Sequence, residues 1–185
     1  MNLANKITLI RIAMIPLFML FMYLQPLRPG VMEIIAVLLF LAAAGTDRVD
    51  GYVARKYNQI TKFGKIMDPV ADKLLIAGVF ITLADIHPQV SAWPVTIIMA
   101  REFLISALRM IAASEGVVIS ANIWGKVKTN IQVLVAFLLI LHPGVIYLPG
   151  PTPFIIIWLT ALFTIYSGLV YFWESDLEFF APPEK

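Results

Sequence analysis

Long apolar runs separated by short polar breaks organise this chain. Six stretches, about 6–24, 33–57, 66–84, 92–113, 125–142 and 153–173, are long and apolar enough to read as membrane-spanning helices. The breaks between them carry turn chemistry: Gln25-Pro26 to Pro29-Gly30, His87-Pro88, Glu115-Gly116, His142-Pro143-Gly144 and Pro149-Gly150-Pro151. The runs lack the two-residue alternation of half-buried strands. The pattern therefore predicts an all-α integral membrane protein with six transmembrane helices, one domain over 1–185.

Composition agrees with that reading. The chain is 60% hydrophobic and only 14% charged, with a mean hydropathy of +0.85, whereas soluble domains sit near half apolar and a quarter charged. A net charge of +2 is too small to suggest nucleic acid, and the absence of cysteine excludes disulfide and thiolate chemistry. The first run, Ile7 to Leu24, has a basic start at Lys6 and Arg11 but no small-x-small cleavage site, so it reads as a retained helix rather than a signal peptide. With both termini, 45–73 and 101–128 on one side, that side collects every Lys and Arg except Arg28. The positive-inside rule makes it cytoplasmic. His87 and His142 fall in loops on the opposite side. The aromatic residues near Trp93 and at Tyr171-Phe172-Trp173 read as interfacial belts.

The second run is unusual. Its apolar part, Ile34 to Ala44, is too short to cross a hydrocarbon core of about 30 Å. The helix must continue through Asp47 and Asp50, and a short link then leads to Asp68 and Asp72 near the start of the third run. Asp68-Pro69 resembles a helix start, with aspartate as cap and proline in the first turn. Spacings of three and four residues put each aspartate pair on one helical face. All four carboxylates are thus expected at one depth, on the cytoplasmic side. Carboxylates crowded in apolar surroundings stay ionised only with cations. Oxygen ligands without nearby His or Cys favour Mg²⁺, Mn²⁺ or Ca²⁺. Four carboxylates suit two metals, and such a pair, roughly 4 Å apart, suits phosphoryl transfer. Gly51, Ala54 and Gly64 leave bare backbone for a phosphate or nucleotide, and Arg55 lies one turn beyond Asp50. A plainer alternative is a set of helix-end charges paired with Arg48, Arg55, Lys65 and Lys73.

The pattern D-x2-D-G-x2-A-R-x8-G-x3-D-x3-D, filled at every position from Asp47 to Asp72, resembles the signature of the CDP-alcohol phosphotransferases. The resemblance implies six membrane helices, a cytoplasm-facing site with two divalent metals (Mg²⁺ or Mn²⁺), a homodimer, and transfer of a phospho-alcohol group from a CDP-linked donor with release of CMP. Carried over, it makes Asp47, Asp50, Asp68 and Asp72 metal ligands, and Asp72 also the general base. Gly51, Ala54, Arg55 and Gly64 become the nucleotide and diphosphate surround.

The signature does not choose the acceptor. Glu102, Ser106 and Arg109 form one helical stripe with Arg101 on its flank, and Gly125-Lys126-Val127-Lys128-Thr129-Asn130 opens the fifth run. Arg101, Arg109 and Lys126 are candidate ligands for a phosphate-bearing alcohol. Alternatively, Arg101-Glu102 is an internal ion pair, and Lys126 and Lys128 snorkel to lipid headgroups. The segments 101–109 and 125–129 resemble the bacterial branch of the family that makes phosphatidylglycerophosphate. So does 5–11, where Asn5, Thr8 and Arg11 share a helical face and where Asn5 and Thr8 become nucleotide-site candidates. That branch implies CDP-diacylglycerol and sn-glycerol 3-phosphate as substrates, and a bacterial inner-membrane location. After about residue 130 only apolar runs are legible. Another acceptor, such as inositol phosphate, and a carboxylate-lined cation transporter remain the competing functions.

Overall fold

The computed structural model describes the backbone of residues 3–56, 62–114 and 123–174, and the side chains of 6–46, 64, 67–113 and 123–173. Those residues form six α-helices and one short 3-10 turn, with no strand among them. The helices are α1 (Leu3–Tyr23), α2 (Val31–Lys56), α3 (Lys62–Ile86), α4 (Ala92–Ser114), α5 (Ile123–Leu141) and α6 (Thr152–Glu174). Each of the six apolar runs has become one helix.

α2 runs unbroken for 26 residues, about 39 Å at the α-helical rise, and so carries the backbone of Asp47 and Asp50 within the helix as expected. Its start is fixed locally. Gly30 adopts a left-handed φ of 85°, and the Glu33 carboxylate reaches back to accept the Gly30 N–H at 2.6 Å, one half of a capping box. Gly144, in the α5–α6 loop, lies against this cap: a Cβ there would fall 2.8 Å from the Gly30 nitrogen. The same end of the bundle holds His87 and His142, their rings 5.7 Å apart. Both are loop residues, as expected, but His87 is buried. That burial, reinforced by the neighbouring His142, lowers its pKa.

One helix start differs from the expectation. α3 begins at Lys62, so Asp68 and Pro69 lie inside it rather than at its first turn. Pro69 removes one backbone donor, a loss that helices in apolar surroundings tolerate where neighbouring groups take up the freed carbonyl. The Asp68 carboxylate is consequently not a cap and is available to other partners.

Three helices are long and apolar enough to cross a membrane by length and composition among the described residues: α1, α5 and α6. α3 and α4 miss that threshold and carry charges at Asp68, Asp72, Lys73, Arg101, Glu102 and Arg109. Leu38, Leu134, Leu159 and Leu162 face outward, each more than half exposed, while Arg11, Glu102 and Lys128 are at most 4% exposed. Apolar outside and charged inside is the distribution expected of a bundle solvated by lipid.

α1 packs along both α2 and α3, which touch each other much less, and α6 packs against α4 and α5. The α1–α3 contact is close because position 78 is glycine: a Cβ there would stand 2.6 Å from Ile15 Cγ2. Gly78→Ala should therefore cost about 1–3 kcal/mol through overpacking and lower the thermal unfolding midpoint in detergent. Adding Ile15→Ala, which deletes the obstructing methyl, should recover part of the loss; an unchanged midpoint in Gly78→Ala alone would contradict the close contact.

Candidate active site

α1 ties together the two helices that carry the aspartates. Thr8 Oγ donates to Asp68 Oδ1 at 2.7 Å, and Arg11 Nε donates to Thr46 Oγ at 2.9 Å. Thr46, next in sequence to Asp47, in turn donates to the Ala43 carbonyl at 2.6 Å. Thr8 and Arg11 are both buried, so these two members of the face read from sequence turn inward on α1. Asp68 and Asp72 are one turn apart on α3 and partly exposed. Gly64 is buried in the turn before them. The side chains of Asn5, Asp47, Asp50, Ala54 and Arg55, and position Gly51, lie outside those described. Among the described residues no three His, Cys, Asp or Glu side chains come together.

Beside Asp72 opens a cavity of about 670 Å³, walled by α2, α3, α4 and α5 and reached by Tyr171 of α6. Arg101, Glu102, Ser106 and Arg109 all line it, as does Lys126, so the stripe read on the fourth run and the basic start of the fifth converge. Its described charged lining is Lys73, Arg101, Arg109, Lys126 and Lys128 against Asp72 and Glu102, a surplus of positive charge.

Glu102 organises that lining. It is buried on α4 and pairs directly with Lys128 of α5. Its oxygens also lie 3.4 Å from Lys73 Nζ of α3 and 3.6 Å from Arg101 Nη1, and Gln132 Nε2 donates to it at 3.3 Å. Lys73 stands equally 3.4 Å from Asp72 Oδ2, bridging the two carboxylates. Arg101 is held on both sides, because Nη2 donates to Ser167 Oγ at 3.0 Å. Arg109 Nε donates to the Tyr171 hydroxyl at 3.1 Å. The Arg101–Glu102 ion pair is thus real but is one edge of a larger network. Lys128 does not snorkel: a direct partner inside the bundle outweighs the headgroup region, whereas Lys126 is exposed.

Tyr171 corrects the aromatic-belt reading. Trp93 and Trp173 are 73% and 85% exposed, but Tyr171 is 4% exposed and faces inward. It completes a stripe on α6, Thr160, Thr164, Ser167 and Tyr171, all buried. Spacings of four, three and four residues put these on one face. That spacing was readable, but single hydroxyls scattered through an apolar run give too little contrast to stand out.

Comparison with known proteins decides the family. The chain matches CDP-alcohol phosphatidyltransferase over residues 1–166. It belongs to that family. It is 42% identical over 190 residues, 94% of this chain and 96% of the relative, to a Bacillus subtilis CDP-diacylglycerol–glycerol-3-phosphate 3-phosphatidyltransferase. Rickettsia felis has a protein of the same name 42% identical over 174 residues, 92% of this chain and 93% of that one. The Pectobacterium atrosepticum counterpart is 40% identical over 146 residues, 77% and 78% of the two chains. The coverage means that the CDP-alcohol phosphatidyltransferase match extends past the aspartate signature through the cavity-lining helices α4 and α5.

Removing Glu102 from the network should be costly in a specific way. Glu102→Gln leaves Lys128 buried against a neutral amide, at a cost of about 3–5 kcal/mol. Lys128→Met in the same chain removes the orphaned charge and should restore most of the stability. Thermal unfolding of both in detergent tests this; losses that simply add would argue against a direct pair.

Proposed function

We propose that this chain transfers a phosphatidyl group from CDP-diacylglycerol to the primary hydroxyl of sn-glycerol 3-phosphate, giving phosphatidylglycerophosphate and CMP. The observation that carries the acceptor is the cation-rich cavity next to Asp72. A net-neutral acceptor such as serine needs fewer of those cations than an acceptor already bearing a phosphate. The names of the B. subtilis and R. felis relatives give the same two substrates.

The residues suit divalent metal. Asp68 and Asp72 supply hard oxygens one turn apart, and Asp68 is oriented by Thr8, the kind of outer support that metal-binding carboxylates use. We assign Asp47, Asp50, Asp68 and Asp72 as ligands of two Mg²⁺ or Mn²⁺ ions. When bound, such ions neutralise the donor diphosphate and the charge left on CMP.

The chain's own groups then divide the work. Gly51, Ala54, Arg55 and Gly64, with Asn5 and Thr8 of α1, surround the cytidine diphosphate. Arg109 and Lys126 hold the acceptor phosphate, with Arg101 behind them. Asp72 accepts the proton of the primary hydroxyl. That oxygen bonds to the β-phosphorus, the bond from this phosphorus to the bridging oxygen breaks, and its electron pair leaves with CMP. Six membrane crossings with both termini cytoplasmic, in the inner membrane of a bacterium, would supply lipid donor from the bilayer and soluble acceptor from the cytoplasm. The basic residues of 45–73 and 101–128 support this orientation.

Purified protein with CDP-diacylglycerol, Mg²⁺ and a panel of alcohols should release CMP with glycerol 3-phosphate and not with serine or inositol phosphate. Preference for another acceptor would refute the assignment. Metal uptake into sealed vesicles without CMP release would favour a transporter. Asp68→Asn should reduce turnover by at least about a hundredfold, on the scale of losing a metal ligand's support; activity within threefold of the parent would remove Asp68 from the metal site.

A further inference from the structure

α6 lies outside the aspartate signature and is uncharged over 152–173, yet the last member of its buried hydroxyl stripe, Tyr171, lines the cavity. The stripe's upper members bond inward to their own helix: Thr160 and Thr164 donate to Ile156 and Thr160 carbonyls at 2.7 Å. Its lower members meet arginines. Ser167 accepts from Arg101 Nη2. Next to it Gly168 gives Arg101 room, since a Cβ there would stand 3.3 Å from Arg101 Cγ. With Nη1 near Glu102 and Nη2 on Ser167, Arg101 has both ends of its guanidinium tied to protein. Arg109 is held differently. Its Nε donates to the Tyr171 hydroxyl at 3.1 Å, and its Cζ lies 5.1 Å from the centre of the Tyr171 ring, within cation–π range. That anchorage uses the inner nitrogen and leaves the two terminal ones, the fork that grips a phosphate bidentately, on the side chain that lines the cavity.

We propose that Tyr171 is a positioning residue for the acceptor phosphate, acting through Arg109: its buried ring and hydroxyl set the guanidinium so that the terminal nitrogens face the cavity. This rests on the glycerol 3-phosphate reading of the site. Tyr171 is suited to the task because it is 4% exposed. A phenol locked by packing is a fixed acceptor, while arginine alone is a long, freely rotating chain. Holding the fork in place before the acceptor arrives removes an ordering cost from binding. The effect therefore falls on acceptor affinity and not on the chemical step.

The test compares Tyr171→Phe, Arg109→Ala and the double variant in full-length protein, with initial rates against glycerol 3-phosphate and CDP-diacylglycerol and with thermal unfolding. Tyr171→Phe keeps the ring and deletes the hydroxyl. Its KM for glycerol 3-phosphate should rise about tenfold, the scale of one hydrogen bond to a charged group. Its kcat, its KM for CDP-diacylglycerol and its unfolding midpoint should stay near the parent values. In the Arg109→Ala background the same change should add nothing. A normal acceptor KM in Tyr171→Phe beside an impaired Arg109→Ala overturns the proposal alone. A further rise in the double variant overturns it too, because Tyr171 would then touch the acceptor itself. A joint fall in kcat and midpoint marks a merely structural tyrosine. An unchanged acceptor KM in Arg109→Ala overturns the acceptor assignment, and the proposal with it.

Discussion

A carboxylate buried among apolar helices must find cations, and Glu102 finds them on three helices. Lys73 of α3, Arg101 of its own α4 and Lys128 of α5 all reach it, and Gln132 adds a neutral donor. In hydrocarbon surroundings the alternative is an uncompensated charge, costing several kcal/mol. The helices are therefore brought together at one depth by a requirement that apolar packing alone would not impose, since lipid tails solvate leucine as well as other leucines do. The cavity beside Asp72 lies where these helices meet.

The same network links the two halves of the proposed chemistry. Lys73 stands between Asp72, on the donor side, and Glu102, on the acceptor side. Arg101 and Arg109 extend the network to α6 through Ser167 and Tyr171. On the opposite flank α1 reaches Asp68 through Thr8 and Thr46 through Arg11. Helices that carry no metal-ligand candidate thus fix the side chains of those that do, which is how a site on long helices keeps its geometry without loops.

Some of this arrangement was legible in the chain. Helix number, and the approximate helix limits except the start of α3, followed from run length, because a span needs about twenty apolar residues and turn-forming Pro and Gly mark its ends. The passage of α2 through Asp47 and Asp50 followed from the shortness of its apolar part. Thr8 with Arg11, and Glu102 with Arg109, were readable as helical faces because the α-helical period is local. The start of α3 was misread: Asp68-Pro69 has capping chemistry, and nothing local tells a capping proline from one tolerated in a helix interior.

Periodicity told which residues share a face, and the aspartate spacing told which chemistry they suit, because both depend only on neighbours along the chain. It did not tell which faces meet. From sequence Lys128 is either part of a basic cluster facing the acceptor or a snorkelling lysine, and Tyr171 is a belt residue, since each judgement weighs a side chain against water, lipid and ligand and not against a neighbouring helix. Only the packing of α4 and α5 on α6, with Lys128 of α5 reaching across to α4, supplied Glu102 and Arg109 as partners. A pair separated by 26 or 62 residues leaves no local trace, and a buried charge is decided by what stands opposite it.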